Sequence, residues 1–175
     1  MSKAARLETE RLVLVPLDRS WRQDLLRLHH DPVVAHFLFL KGKAPSTEDD
    51  DKRIAHYEEL WSERGYGIFA VTDKLNGAFL GRAGPVVTPE TGRIEIVWSM
   101  LSTVHGRGLA TEAARAAIEF TLAHSTLALL DAYVRPDNVA SLNVAAKLGF
   151  RLVEPRFLYG MTLNYFTLER GTSIS

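Results

Sequence analysis

Short apolar runs alternate with amphipathic stretches along the chain, and the two periods predict a mixed order of strands and helices. Leu12-Val13-Leu14-Val15, halted by Pro16, reads as a strand. Trp21, Leu25 and Leu28 fall on one face of a helix, with Asp18 or Ser20 as its cap, until Asp31-Pro32 interrupts it. A loop over Lys41-Gly42-Lys43-Ala44-Pro45 leads to a second helix. Ser46 or Thr47 caps it, Ile54, Tyr57 and Trp61 share its apolar side, and it ends near Gly65.

Three strands are predicted next, at Tyr66–Thr72, Phe79–Val87 and Arg93–Leu101. Asn76-Gly77 and Pro89-Glu90-Thr91-Gly92 between them favour antiparallel hairpins. The second half changes character. Thr111–His124 is an alanine-rich helix, Leu127–Val134 a strand, Val139–Leu148 a helix closed by Gly149, and Thr162–Leu168 a final strand. Strand–helix–strand units imply parallel crossovers, so the pattern predicts an α/β fold: antiparallel hairpins first, parallel crossovers after. With no repeat and no long linker, residues 1–175 read as a single domain.

Composition narrows the function classes. The chain has 46% hydrophobic and 24% charged residues, and its 21 basic and 21 acidic side chains cancel. Such a balance offers little long-range attraction to nucleic acid or anionic lipid, so neither is expected as a partner. The chain has no cysteine, which removes disulfides, thiolate metal sites and a cysteine nucleophile. Its opening residues lack an apolar signal core and no run is long enough to span a membrane, so a cytoplasmic location is expected.

The stretch richest in chemistry runs from the strand Ile94-Glu95-Ile96-Val97-Trp98-Ser99-Met100-Leu101 into His105-Gly106-Arg107-Gly108-Leu109-Ala110-Thr111-Glu112-Ala113. A small-residue loop opening a helix presents unpaired N–H groups to an anion, and Arg107 adds a positive charge. Neither a P-loop nor a dinucleotide fingerprint fits, because the lysine and the third glycine are missing. Pyrophosphate is therefore easier to defend as a ligand than ATP hydrolysis, and a tight turn that binds nothing stands beside it. A second constellation lies at Pro136–Phe150. Asp137 or Asn138 caps a helix there, and the spacing draws Asn138, Ser141 and Ala145 toward a common side. Capping residues most often only cap.

Taken together the segments resemble the GNAT superfamily of N-acetyltransferases, and within it the ribosomal-protein N-terminal acetyltransferase (RimJ/RimL-like) branch. Glu8-Thr9-Glu10-Arg11-Leu12-Val13-Leu14 is similar to that branch's opening strand, His105–Ala113 to its acetyl-CoA pyrophosphate loop, and Asn138–Phe150 to its cofactor-side helix. The resemblance implies a mixed, mostly antiparallel sheet splayed at its centre with helices on both faces. It implies acetyl-CoA as co-substrate, with the pantetheine arm pairing near Met100. The loop His105, Gly106, Arg107, Gly108, Leu109, Ala110 and Thr111 would hold the cofactor, and Asn138 and Asn143 would contact it from the next helix. A homodimer is common in the branch.

Two departures matter. The loop opens with His105 rather than the usual residues, and Ala145 stands where many members carry a proton-donating tyrosine. Ser141 is similar to a serine used by some members and becomes the candidate acid. Glu95 lies within an apolar strand, on the side of Val97 and Ser99, and is the candidate base toward an amine acceptor: a protein N-terminus or a small amine. The alternatives are an acyl-CoA-binding sensor without catalysis and a nucleotide-binding module. No metal is expected, because His29, His30 and His36 lack ligand spacing. Asp49-Asp50-Asp51 reads as a solvated helix start.

Overall fold

The computed structural model describes residues 5–174. Eight strands form one sheet: β1 (Leu7–Glu8), β2 (Leu12–Pro16), β3 (Phe69–Asp73), β4 (Phe79–Val87), β5 (Ile94–Met100), β6 (Leu129–Val134), β7 (Arg151–Leu158) and β8 (Met161–Glu169). Their order across the sheet is β1-β2-β3-β4-β5-β6-β8-β7. Every pairing is antiparallel except β5–β6, which is parallel and shares one register pair, Glu95 opposite Asp131. Beyond that pair the two strands part, and the sheet splays at its centre.

Among the described residues five α-helices cover both faces: α1 (Arg22–His29), α2 (Pro32–Leu38), α3 (Thr47–Arg64), α4 (Leu109–Ala123) and α5 (Val139–Lys147). Local chemistry sets their ends. Asp31 accepts from the Val33 and Val34 N–H groups, and Pro32, which needs no partner for a missing N–H, starts α2. Ser46 and Asp49 form a reciprocal capping box at the start of α3. On one side of the sheet Ile94 and Ile96 pack with Ala114 and Ile118 of α4, with Ala145 of α5 and with Leu148 at its C-terminal end. On the other, Leu25, Leu28, Ile54 and Tyr57 pack on Ile68, Ala70 and Phe79. Fully buried alanines at 113, 114 and 117 let α4 lie close against the strands. Each large apolar side chain so buried contributes about 1.5–3 kcal/mol.

The structure corrects several expectations. The crossover through α4 does join parallel neighbours, but the final strand β8 runs antiparallel to β6. The reason is β7, a strand the periodicity does not reveal, which reverses the chain before β8. Its sequence, Arg-Leu-Val-Glu-Pro-Arg-Phe-Leu, sits exposed on an edge where no core face imposes alternation. Residues 66–68 leave the expected strand because Gly67 lies against the Trp61 ring, and the Ile68 carbonyl accepts from Leu17 N and Trp61 Nε1. Asp18 caps a 3-10 turn, Arg19–Trp21, that precedes α1. Of the three aspartates expected in solvent, Asp50 is fully buried against His29, 2.7 Å away.

Candidate active site

The splay exposes main-chain groups of β5. Leu101 N donates to Leu80 O across β4, so by the alternation of an antiparallel ladder Met100 and Trp98 turn their N–H and C=O groups to the gap. The Met100 carbonyl is already engaged there, accepting from His105 Nε2 at 2.7 Å. The His105 side chain thus has a position of its own, in addition to the loop's main chain.

After β5 a 3-10 turn, Ser102–Val104, leads into the loop. Gly106 and Gly108 both have φ of +75°, a conformation costly for any residue with a Cβ. Gly108 is the N-cap of α4, no side chain among the described residues caps that end, and the first turn of the helix lines the cavity. A brace from the opposite end of the chain holds the loop. Arg11 donates from Nη1 to the Arg107 carbonyl at 2.8 Å and from Nε to Glu112 at 2.7 Å. Glu112 also accepts from Thr9 Oγ1 and Arg11 N.

Helix α5 forms the facing wall. Asn138 Oδ1 accepts from Ser141 N and so does cap it. Ser141 Oγ accepts from the Trp98 indole at 3.3 Å, which leaves its own proton directed elsewhere. Ala145 is fully buried in the core and brings no polar group to the cavity. Asn138, Ser141 and Asn143 line, with the loop and Glu95, a single cavity of about 720 Å³.

Glu95 is 5% exposed. Tyr159 donates to its Oε2 at 2.9 Å and Thr88 Oγ1 at 3.1 Å. Burial pushes its pKa up to about 7, although the two hydroxyl donors and the Arg82 charge pull the other way. Tyr159 reaches it from the β7–β8 turn, where Tyr159 (φ +54°) and Gly160 (φ +74°) form the tight two-residue connection of a hairpin. Gly160 lies against Leu40, from the turn after α2, so these segments meet over the cavity. Tyr133 adds a buried hydroxyl with no partner among the described residues, kept protonated by burial with a pKa near 12.

Comparison with known proteins fits this architecture. The family model described as Acetyltransferase (GNAT) domain matches residues 11–151. The chain belongs to the GNAT acetyltransferase family. It is 31% identical over 158 residues to the uncharacterized protein YkkB of Bacillus subtilis, covering 85% of this chain and 87% of that one. The acetyltransferase of Agrobacterium tumefaciens superposes with a TM-score of 0.81 at 23% identity, covering 97% of both chains. RimL, a ribosomal α-N-protein acetyltransferase solved in complex with coenzyme A, superposes with a TM-score of 0.76 at 18% identity, covering 94% of this chain and 98% of that one.

In this acetyltransferase, the residues expected from sequence converge on one cavity: Glu95, Met100, His105 to Thr111, Asn138, Ser141 and Asn143 all line it. The histidines do not converge. His29 faces Asp50, His30 Nδ1 contacts the Leu26 carbonyl, and His36 stacks edge-on with Phe37. Among the described residues no group of three or more His, Cys, Asp or Glu side chains gathers as metal ligands would. No helix among them is long and apolar enough to cross a membrane. Sequence reasoning missed Tyr159, Tyr133 and the Thr9–Arg11–Glu112 brace. The one available signal was Thr9-x-Arg11, noted only as part of a strand, whose partner lies more than 100 positions away.

Proposed function

We propose that the enzyme moves the acetyl group of acetyl-CoA directly to a primary amine within a ternary complex, with Glu95 as general base. The observation that carries this is a buried carboxylate beside the splay, facing the cavity, with a pKa near 7. In this reading the pyrophosphate rests on N–H groups from His105, Gly106, Arg107, Gly108, Leu109, Ala110 and Thr111, and the pantetheine amides pair with β5 near Met100. Asn138 and Asn143 contact the cofactor from α5. Glu95 takes a proton from the substrate ammonium, directly or through water, and the neutral amine attacks the thioester carbonyl. Main-chain N–H near Met100 stabilises the oxyanion. The C–S bond then breaks as the amide forms, and the proton that the attacking nitrogen loses reaches the departing thiolate through the Ser141 hydroxyl, which gives up its own proton to sulfur and takes that one in return; the Trp98 indole, donating to Ser141 Oγ, holds the hydroxyl in place.

The same reading makes residues 1–175 one cytoplasmic transferase domain, of which 1–4 and 175 lie outside the described residues. Exposed Leu152, Val153 and Phe157 on the edge strand β7 support a homodimer. A panel of amines incubated with acetyl-CoA, with free thiol and acetylated product both measured, tests the activity. Acetylated product from at least one amine, lost in Glu95→Gln while coenzyme A still binds, is expected. Coenzyme A binding without transfer to any amine would instead fit a sensor.

A further inference from the structure

Beyond Glu95 the cavity continues into a lobe walled by α2, α3 and the β7–β8 turn, and its charges are wrong for a cationic guest. Glu95 is the one carboxylate among the described residues that line the cavity, while Arg53 and Arg82 both contribute to it. Arg82 sits on β4 opposite Ser99, on the same face of the sheet as Glu95, and is 5% exposed. Its Nη1 donates to the Tyr57 hydroxyl, and its buried Nε has no acceptor among the described residues. None of them places a carboxylate within ion-pair distance of it, and the Asp50 and Glu95 charges act on it only from farther off. Arg53, at the rim, lies 3.5 Å from Asp50 and over the Phe39 ring. Burial pushes the His29 pKa down to about 4, so the histidine brings no positive charge to this corner and the cations around Asp50 are Arg53, in contact, and Arg82, farther off.

A buried guanidinium with no anion in contact is costly, and a donor left open in a cavity marks where an anion belongs. Glu95 cannot fill that role through a catalytic cycle, since it becomes neutral when it accepts the substrate proton. The Tyr57 hydroxyl accepts from Arg82, so its own proton is available to a second oxygen. A planar guanidinium beside a phenol O–H suits the two oxygens of a carboxylate.

We propose that this lobe is a carboxylate seat formed by Arg82 and Tyr57 with Arg53 at its rim, and that the acceptor is an amine bearing a carboxylate. Free amino acids and peptides with an acidic group near the amine share that chemistry; polyamines and polycationic antibiotics would meet two like charges. The amine half of the inference rests on the acetyl-transfer reading above, whereas the seat itself is readable without turnover.

Calorimetry on the coenzyme A-loaded protein tests it. One arm uses N-acetyl-amino acids with apolar, polar and acidic side chains, each beside its C-terminal amide. A second uses N-acetylated peptides with Glu or Gln at the second position. At least one acid is expected to bind about tenfold or more tightly than its amide counterpart, and the arm in which it appears identifies the source. Arg82→Met should abolish the preference while leaving coenzyme A affinity unchanged, and Arg53→Gln should reduce it severalfold. If Arg82→Met does not fold, the wild-type comparison and Arg53→Gln still decide. Equal binding of acids and amides, no binding in either arm, or an intact preference in Arg82→Met would overturn the proposal. Loss of acetyl transfer with the preference retained would sink only the catalytic reading; transfer to amides as fast as to acids would sink only the seat.

Discussion

At one end of the cavity seven consecutive residues, His105 to Thr111, form the wall with a glycine-opened loop and the start of α4; at the other, Tyr57, Arg82, Glu95 and Tyr159 arrive from four separate segments. The first end is local and tolerant of side chains, since its chemistry is that of a helix N-terminus opened by glycines with φ of +75°. The second is nonlocal and depends on every side chain. What differs is where specificity can reside: a main-chain cradle recognises a group common to many ligands, and a side-chain pocket distinguishes among them.

Substitutions can break that contrast, the largest effect first. Glu95→Gln should lower kcat/KM by about 10²–10³ near pH 8, with coenzyme A affinity unchanged. The same variant should fold more tightly than the wild type under those conditions. Between pH 4.5 and about 7 the folded chain holds a proton on Glu95 that the unfolded chain has lost, so stability falls as pH rises through that window. Removing the charge should recover about 2–3 kcal/mol above pH 7.5 and nothing below pH 4.5, read from urea unfolding at several pH values. Gly108→Ala forces a Cβ into a left-handed conformation at about 1–2 kcal/mol, so coenzyme A affinity by calorimetry should drop about tenfold.

Smaller effects sharpen the boundary between the two ends. Glu112→Ala removes the acceptor that holds Thr9 and Arg11, and with them the Arg107 carbonyl, so coenzyme A affinity should fall a few-fold. The pH dependence of the chemical step should not move. Tyr159→Phe should do the reverse. Loss of the O–H donor to Glu95 disfavours the carboxylate, raising the acidic limb of the rate profile by about half to one unit with coenzyme A binding intact.

The same contrast explains what the sequence made legible. The β3-β4-β5 hairpins, the loop and both long helices follow from periodicity and turn and capping residues, which are local, whereas β1 and the pairing of β2 with β3 do not. Glu95 was legible because strand parity sets it with Val97 and Ser99, away from the isoleucines. Arg82 was not, although a lone arginine inside Phe-Leu-Gly-Arg-Ala-Gly-Pro-Val-Val is a signal of sorts: only tertiary packing shows that α3 covers it. Asp50 looked like one of three helix-start aspartates, and only the position of His29 on α1 shows that it is buried. β7 escaped because an exposed edge strand carries no alternation, and with it escaped both the direction of β8 and the turn that delivers Tyr159.

Whether a buried Glu95 accepts the proton of the attacking amine is read from kcat/KM for the best amine from pH 5.5 to 9, in wild type and Glu95→Gln at saturating acetyl-CoA. An ionisation near 7 is expected in the wild type, on top of that of the amine, and it should disappear in the variant. The same ionisation at the same pH in both proteins would contradict it.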